Sequence, residues 1–305
     1  MTSYKTNRFD FFYILDRWTE EREHFPMKNQ KIVLITGVSS GLGRAFAIES
    51  LNAGYRVVGT LRRAELVPEF EAQKPGQAFA RVLDVKNHDQ ITQVVEDVEK
   101  NIGAVDVLIN NAGYGHEGIF EESSMEELRD QFEVNVLGAV AMIKAVLPFM
   151  RKRRKGHIIN VTSMGGLMTM PGISFYCGSK FALEGISSSL GKELKSFGIF
   201  VTALEPGQFR TDWAGRSMIR SPRSISDYDK VFEPIRAARV AKSGKQPGDP
   251  AKAGRAVITL IESPAPPAHL LLGPDAFEFV DKDLDALRSE FAQWETVTRS
   301  TNFDQ

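Results

Sequence analysis

Tyr176, Lys180 and Ser163 are the residues of this chain best suited to moving a proton. Tyr176 and Lys180 stand in "SFYCGSKFALEG", residues 174–185. Four-residue spacing puts them one helical turn apart on the same face. Ser163 ends "NVTS", 13 residues before Tyr176. An unperturbed tyrosine ionises near ~10 and is a poor base at neutral pH. A nearby ammonium favours the phenolate. Tyr176 could then take a proton from an alcohol or give one to a carbonyl, with Ser163 holding the substrate oxygen. Tyr and Lys at this spacing are common on ordinary helices, so the pair gains meaning only if other elements deliver it to a ligand site. Cys177, the single cysteine, lies ~100° around the helix from Tyr176. It reads as a packing or subunit-contact residue rather than a reactive thiol.

The elements that must position these groups follow one pattern. Short β-branched runs alternate with amphipathic stretches from residue 31 onward. The runs are "KIVLIT", "YRVVGTL", "AFARVLDV", "VDVLIN", "HIINVTS", "IFVTALE" and "HLLLG". Nearly all-apolar strands separated by helices imply a parallel sheet covered on both faces. The expectation is one α/β, doubly wound domain with a parallel seven-stranded sheet. Residues 1–30 form an N-terminal extension, 31–275 the domain, and 276–305 a C-terminal helix and tail. The segment 207–248 lacks clean periodicity and reads as a lid or substrate loop.

"TGVSSGLG" (36–43) follows the first strand and opens a helix. Gly37 permits a tight turn, Gly41 lets backbone approach a pyrophosphate, and Gly43 allows close helix–strand packing. The helix start offers unpaired N–H groups and a positive dipole to phosphate. Gly43-Arg44-Ala45 lacks the Lys-Ser/Thr of a P-loop. An NAD site usually carries an acidic residue after the second strand. This chain has "GTLRRAE", where Arg62 could pair with a 2′-phosphate. NADP is the preferred cofactor on this reading, with NAD still possible. "NNAG" (110–113), "NVTS" (160–163) and "EPGQFRT" (205–211) all end strands, on the rim where α/β ligands bind.

With these motifs in order, the chain resembles the short-chain dehydrogenase/reductases, and it is similar to NADP-preferring hydroxysteroid dehydrogenase-like members. The resemblance covers about residues 31–275 and rests on "TGVSSGLG", "DV" (84–85), "NNAG", "NVLG" (135–138), Ser163, "YCGSK" and "PGQFRT". It implies a Rossmann fold and a catalytic tetrad of Asn135, Ser163, Tyr176 and Lys180, with Asn135 helping to hold a proton-relaying water. It implies cofactor contacts from Gly37, Ser39, Ser40, Gly41 and Leu42 of the loop and from Arg62. Asp84 and Val85 would meet adenine. Asn111, Ala112 and Gly113 would wall the ribose, which Lys180 would also reach, beside Tyr176. Pro206, Gly207 and Thr211 would flank the nicotinamide. A homodimer or homotetramer through the helices carrying Asn135 and Tyr176 is also implied. The resulting reading is an NADP-dependent oxidoreductase interconverting a secondary alcohol and a ketone or aldehyde. A cofactor-sensing regulatory protein and an NAD-preferring dehydrogenase are the alternatives.

Composition narrows the partners. Lys and Arg total 38 and Asp and Glu total 39, a formal charge of −1. That balance gives no reason to expect nucleic acid. No apolar run approaches the ~20 residues needed to span a bilayer. A single cysteine suits a reducing, cytoplasmic setting. The five histidines show no metal-ligand spacing, so no metal is expected. "RFDFFYILDRW" carries Asp10 and Asp16 and does not read as a secretory signal, and Met27 could be a second start. Residues 213–248 carry eight Lys/Arg against three Asp/Glu, a surface that could attract an anionic substrate or the cofactor phosphates.

Overall fold

The computed structural model describes residues 30–303, with Ala214 described by its backbone only. "RFDFFYILDRW" and Met27 lie outside the described residues. The seven expected strands all form: β1 (Ile32–Thr36), β2 (Arg56–Leu61), β3 (Ala78–Val82), β4 (Val105–Asn110), β6 (Gly156–Val161), β7 (Ile199–Pro206) and β9 (His269–Leu272). They make one parallel sheet in the order β3-β2-β1-β4-β6-β7-β9. Strand order reverses between β1 and β4, so their carboxyl ends frame a crevice at the topological switch point.

Helices cover both faces because the strands are apolar on both. On one side, Phe46 and Leu51 of α1 (Gly41–Asn52) and Val257 and Leu260 of α8 (Pro250–Glu262) pack on Val33, Ile35 and Val57. On the other, Val94 and Val95 of α3 (His88–Asp97) and Met142 and Val146 of α5 (Gly138–Arg153) pack on Leu34, Leu108 and Ile158. Helix α2 (Val67–Glu71) is a short turn after β2.

Two expectations are corrected here. The run Met125–Arg153, which joins α4 (Met125–Phe132) to α5 through a π-helical turn at Glu133–Leu137, is long and apolar enough by composition to cross a membrane. Its apolar residues Met142, Ile143, Val146 and Met150 are committed to the core, as a buried helix of this fold requires. Second, the 207–248 segment is not irregular throughout. It holds α7 (Asp229–Ala241), and β8 (Met218–Arg220) pairs in parallel with β5 (Gly115–Glu117) as a separate two-stranded sheet. Pro234 inside α7 and its single buried residue, Phe232, explain the weak periodicity. The helix expected near the C-terminus is present. Helix α9 (Pro274–Gln293) begins directly after β9, and Ala276 and Val280 pack on Met164 and Met168; α10 (Glu295–Arg299) follows.

Candidate active site

The glycine loop and the "NNAG" loop are built as one piece. Gly37 and Gly41 take left-handed backbone, φ 74° and 60°. The Gly37 and Val38 N–H groups both donate to Thr60 O at 3.0 Å. Thr36 Oγ1 accepts from the N–H groups of Asn111 (3.0 Å) and Ala112 (2.9 Å). Asn111 Nδ2 donates back to Thr36 O (2.9 Å) and Gly37 O (3.0 Å). A Cβ on Gly43 would lie 2.3 Å from both Asn111 Nδ2 and Gly37 O, so only glycine fits. The Asn111 side chain is therefore spent on holding two loops together; what it offers a ligand is backbone. No side chain caps α1, and no acidic residue stands in its first turn. Its N–H groups stay available to an anion.

Asn135 sits in the π-helical turn, a distortion often found at functional sites. Its Oδ1 accepts from Tyr114 N (3.1 Å), and its Nδ2 donates to Tyr114 O (3.1 Å) and Ser179 Oγ (3.2 Å). Gln131 Nε2 also donates to Tyr114 O, at 3.0 Å. The Asn135 side chain thus clamps the loop after β4, which leaves its main chain for any relay.

Ser163 follows the end of β6, and Tyr176 and Lys180 lie on α6 (Ser174–Leu194). All three are buried, and all three line one cleft of about 980 Å³. Lys180 Nζ donates to Val161 O at 2.8 Å and stands 5.8 Å from the Tyr176 ring centroid. Burial lowers the Lys180 ammonium to about 8, with the Glu184 charge opposing that shift. Burial pushes the Tyr176 phenol above its ordinary range, while a hydrogen bond with Ser163 pulls it down. The expected lowering by Lys180 is not what governs the phenol here, because loss of water dominates and the ammonium is engaged with Val161 O. A phenol held protonated is ready to act as an acid.

The Trp213 ring packs edge-on against Tyr176, with centroids 5.1 Å apart. Cys177 is buried in a cluster with Ile173 and Tyr176, against which Met170 and Trp213 pack. Burial raises its thiol, which suits packing rather than reactivity.

The remaining expected residues line the same cleft: Ser39, Ser40, Leu42, Arg62, Asp84, Val85, Asn111, Ala112, Gly113, Pro206, Gly207 and Thr211. Thr211 faces Gly41, 3.8 Å from where a Cβ would stand. A Cβ on Gly207 would strike the Asp275 carboxylate at 2.6 Å, and Gln208 N donates to that carboxylate at 2.8 Å. Arg63 lies 3.7 Å from Glu65. Arg62 is exposed and has no carboxylate partner among the described residues. An uncapped helix start, a glycine cradle and an unpaired guanidinium together fit a phosphate-bearing dinucleotide.

The 207–248 segment walls part of the cleft: Ile235 and Ala238 of α7, which the sequence did not single out, line it alongside Trp213 and Ile219. Its positive charge is largely spoken for. Arg239 (2.5 Å), Arg220 (3.1 Å) and Arg236 (3.7 Å) converge on the buried Glu117 of β5. Arg223 pairs with Glu122 and Asp229, and Arg216 with Asp212. The basic segment is a latch onto an acidic loop more than an anion-attracting surface. His116 is a buried member of β5, stacked on Phe175 and 3.1 Å from Ser221 Oγ.

A parallel doubly wound sheet, a glycine cradle at its switch point and a Ser–Tyr–Lys group facing that cradle define a nicotinamide-dependent oxidoreductase acting on CH–OH groups. The short chain dehydrogenase family model matches residues 31–219. Oxidoreductase BOA17 of Botryotinia fuckeliana is 38% identical over 272 residues, covering 88% of this chain and 98% of that protein. The 3-ketodihydrosphingosine reductase of Bacteroides thetaiotaomicron is 37% identical, covering 80% and 88%. The crystal structure of a short-chain dehydrogenase from Streptomyces avermitilis superposes with a TM-score of 0.85 at 40% identity, covering 90% of this chain and 99% of that one. The chain belongs to the short-chain dehydrogenase/reductase family.

Proposed function

We propose that this protein is an NADP-dependent reductase of a hydrophobic ketone or aldehyde, running the reverse reaction when the alcohol is in excess. The observation that carries the reading is the convergence of Ser163, Tyr176 and Lys180 on the cleft that the glycine loop opens. Gly37, Ser39, Ser40, Gly41 and Leu42 would cradle the pyrophosphate. Arg62 would take the 2′-phosphate, and Asp84 and Val85 the adenine. Pro206, Gly207 and Thr211 would border the nicotinamide. The cofactor, when bound, supplies the hydride.

The chain's own residues handle the oxygen and the proton. The Ser163 hydroxyl donates to the carbonyl oxygen and polarises it. The buried Tyr176 phenol delivers the proton that the forming alkoxide needs. Lys180 holds positive charge beside the phenolate left behind and is the group for the nicotinamide ribose. Asn135 keeps the 110–114 wall in place. Met164, Met170, Ile173 and Trp213 give the substrate side apolar surface. The similarity to a 3-ketodihydrosphingosine reductase supports a long-chain ketone as the substrate class.

The test is binding of NADPH and NADH, followed by NADPH consumption with a ketone panel that includes long-chain 3-ketones. Tighter NADPH binding with turnover supports the reading. Tight NADPH binding with no turnover on any ketone would overturn the reductase assignment and favour a cofactor sensor. Self-association belongs to the same reading. Leu137 and Phe181 are exposed near α5 and on α6, and Phe277, Leu284, Leu287, Phe291 and Trp294 leave an apolar stripe on and just past α9. Sedimentation should find a dimer or tetramer, and a monomer at micromolar concentration would contradict it.

A further inference from the structure

One helical turn beyond Lys180, α6 carries Glu184. The fold brings it to Glu205, near the end of β7, and to His269, at the start of β9. These positions are far apart in sequence and show no ligand spacing, so the cluster exists only because β7 and β9 are neighbours under α6. In the β7–β9 register His269 lies beside Ala203, two residues before Glu205 and therefore on the same sheet face.

The geometry is that of a ligand set. His269 Nδ1 lies 2.8 Å from Glu205 Oε1 and 3.4 Å from Glu184 Oε2. One ligand atom from each residue lies within 4.8 Å of the others. Ligands held ~2.1 Å from one ion stand about 3.0 Å apart in octahedral and about 3.4 Å apart in tetrahedral geometry. The other imidazole nitrogen, Nε2, lies 3.2 Å from Ser188 Oγ. A metal-bound histidine commonly uses its second nitrogen in this way to fix ring orientation.

Independent of these distances, the carboxylates are under-served. Glu184 is 6% exposed and Glu205 is 0% exposed. Both oxygens of Glu184, and Oε2 of Glu205, have no hydrogen-bond partner among the described residues. The Thr162 hydroxyl donates instead to Leu204 O at 2.9 Å, and Lys180 donates to Val161 O. Two adjacent buried carboxyl groups, three of whose oxygens lack a hydrogen-bond donor, carry a large desolvation and repulsion cost that a shared cation or a proton would relieve. His269 is 45% exposed and gives an ion a way in from solvent.

We propose that Glu184, Glu205 and His269 bind one divalent first-row metal ion, which ties α6, β7 and β9 together one helical turn from Lys180. Two carboxylates and an imidazole suit Zn²⁺ or Mn²⁺ better than Mg²⁺, which prefers an all-oxygen shell and its own waters. Water entering past the half-exposed His269 would complete the ion's shell. This site is separate from the cofactor cradle and stands whether or not the reductase reading does.

The test uses the full chain, stripped with a chelator and titrated with ZnCl₂ by calorimetry and by thermal melting. One equivalent should bind saturably. At a hundredfold excess over Kd the melting temperature should rise on the order of 5 °C. His269→Ala, at a half-exposed position where truncation is tolerated, should abolish both effects. Glu184→Gln keeps the side-chain volume and should also abolish them. Ser188→Ala, which removes only the orienting contact, should weaken binding about tenfold. An absence of saturable binding would overturn the proposal, leaving a histidine–carboxylate contact. So would stoichiometric binding that survives both His269→Ala and Glu184→Gln, since the ion would then sit elsewhere.

Discussion

Replacing Glu117 with glutamine should loosen the 207–248 segment from β5 while leaving the seven-stranded sheet intact. Glu117 is buried, and three guanidinium groups of the 218–242 segment reach it. Arg239 is 14% exposed and in contact at 2.5 Å, and Arg220 is 25% exposed at 3.1 Å. Arg236 is farther away at 3.7 Å and a third exposed, so screening leaves it little to contribute. Each charge-assisted hydrogen bond to a buried carboxylate contributes about 1.5–3 kcal/mol, and glutamine keeps one neutral acceptor. The net loss should be about 3 kcal/mol, or roughly a hundredfold in the equilibrium for local opening. Hydrogen exchange reads this directly. Amides of β8 and α7 should lose about a hundredfold in protection, while those of β1 and β6 stay protected. KM for a bulky ketone should rise more than kcat changes, because α7 residues wall the cleft. Unchanged α7 protection would refute the latch. An equal loss across β1 and β6 would show instead that Glu117 supports the whole fold.

Two further outcomes follow from single residues. Burial first, and then the Lys31 charge, depress the His157 imidazole to about 4, well below its usual range. The ring is therefore neutral in the fold; its contribution is present above the unfolded value of ~6.5 and is lost as pH falls toward about 4. That difference amounts to about 3 kcal/mol. Glu184 and Glu205, both raised to about 7 by burial, act with the opposite sign as pH falls from 7 toward 4.5. The readout is thus the difference in denaturation midpoint between wild type and His157→Gln, which should narrow from pH 7 to pH 4; a constant difference would contradict it. Arg62→Ala should weaken NADPH binding by about tenfold to a hundredfold and leave NADH nearly unchanged, measured by cofactor fluorescence. Equal loss for both cofactors would show that Arg62 does not read the 2′-phosphate.

The sheet was legible in the sequence because buried parallel strands are apolar on both faces and leave short, unmistakable runs. The glycine loop was legible because each of its glycines answers a backbone demand, and Gly43 shows the demand most sharply. What stayed hidden depends on contacts between distant segments. The strands β5 and β8 are three residues each, too short to show alternation. Helix α7 keeps a proline in its interior and buries only Phe232, so its docking rests on Arg–Glu contacts that no local pattern announces. Asn111 and Asn135 sit in recognisable motifs, but what their side chains bond to depends on loops brought in from elsewhere. Spacing suggested that Lys180 would depress the Tyr176 phenol; burial, which spacing does not report, outweighs it. The Glu184–Glu205–His269 cluster needs two neighbouring strands and a helix to exist at all.

The most direct test of the central claim is Tyr176→Phe, assayed for NADPH dissociation constant and for single-turnover ketone reduction on the same preparation. The substitution removes one hydroxyl and keeps the ring against Trp213. NADPH affinity should stay within about threefold, while the hydride-transfer rate should fall by about 10²–10⁴, the usual worth of a positioned acid. A rate within a few-fold of wild type would contradict the account and move the proton donor away from Tyr176.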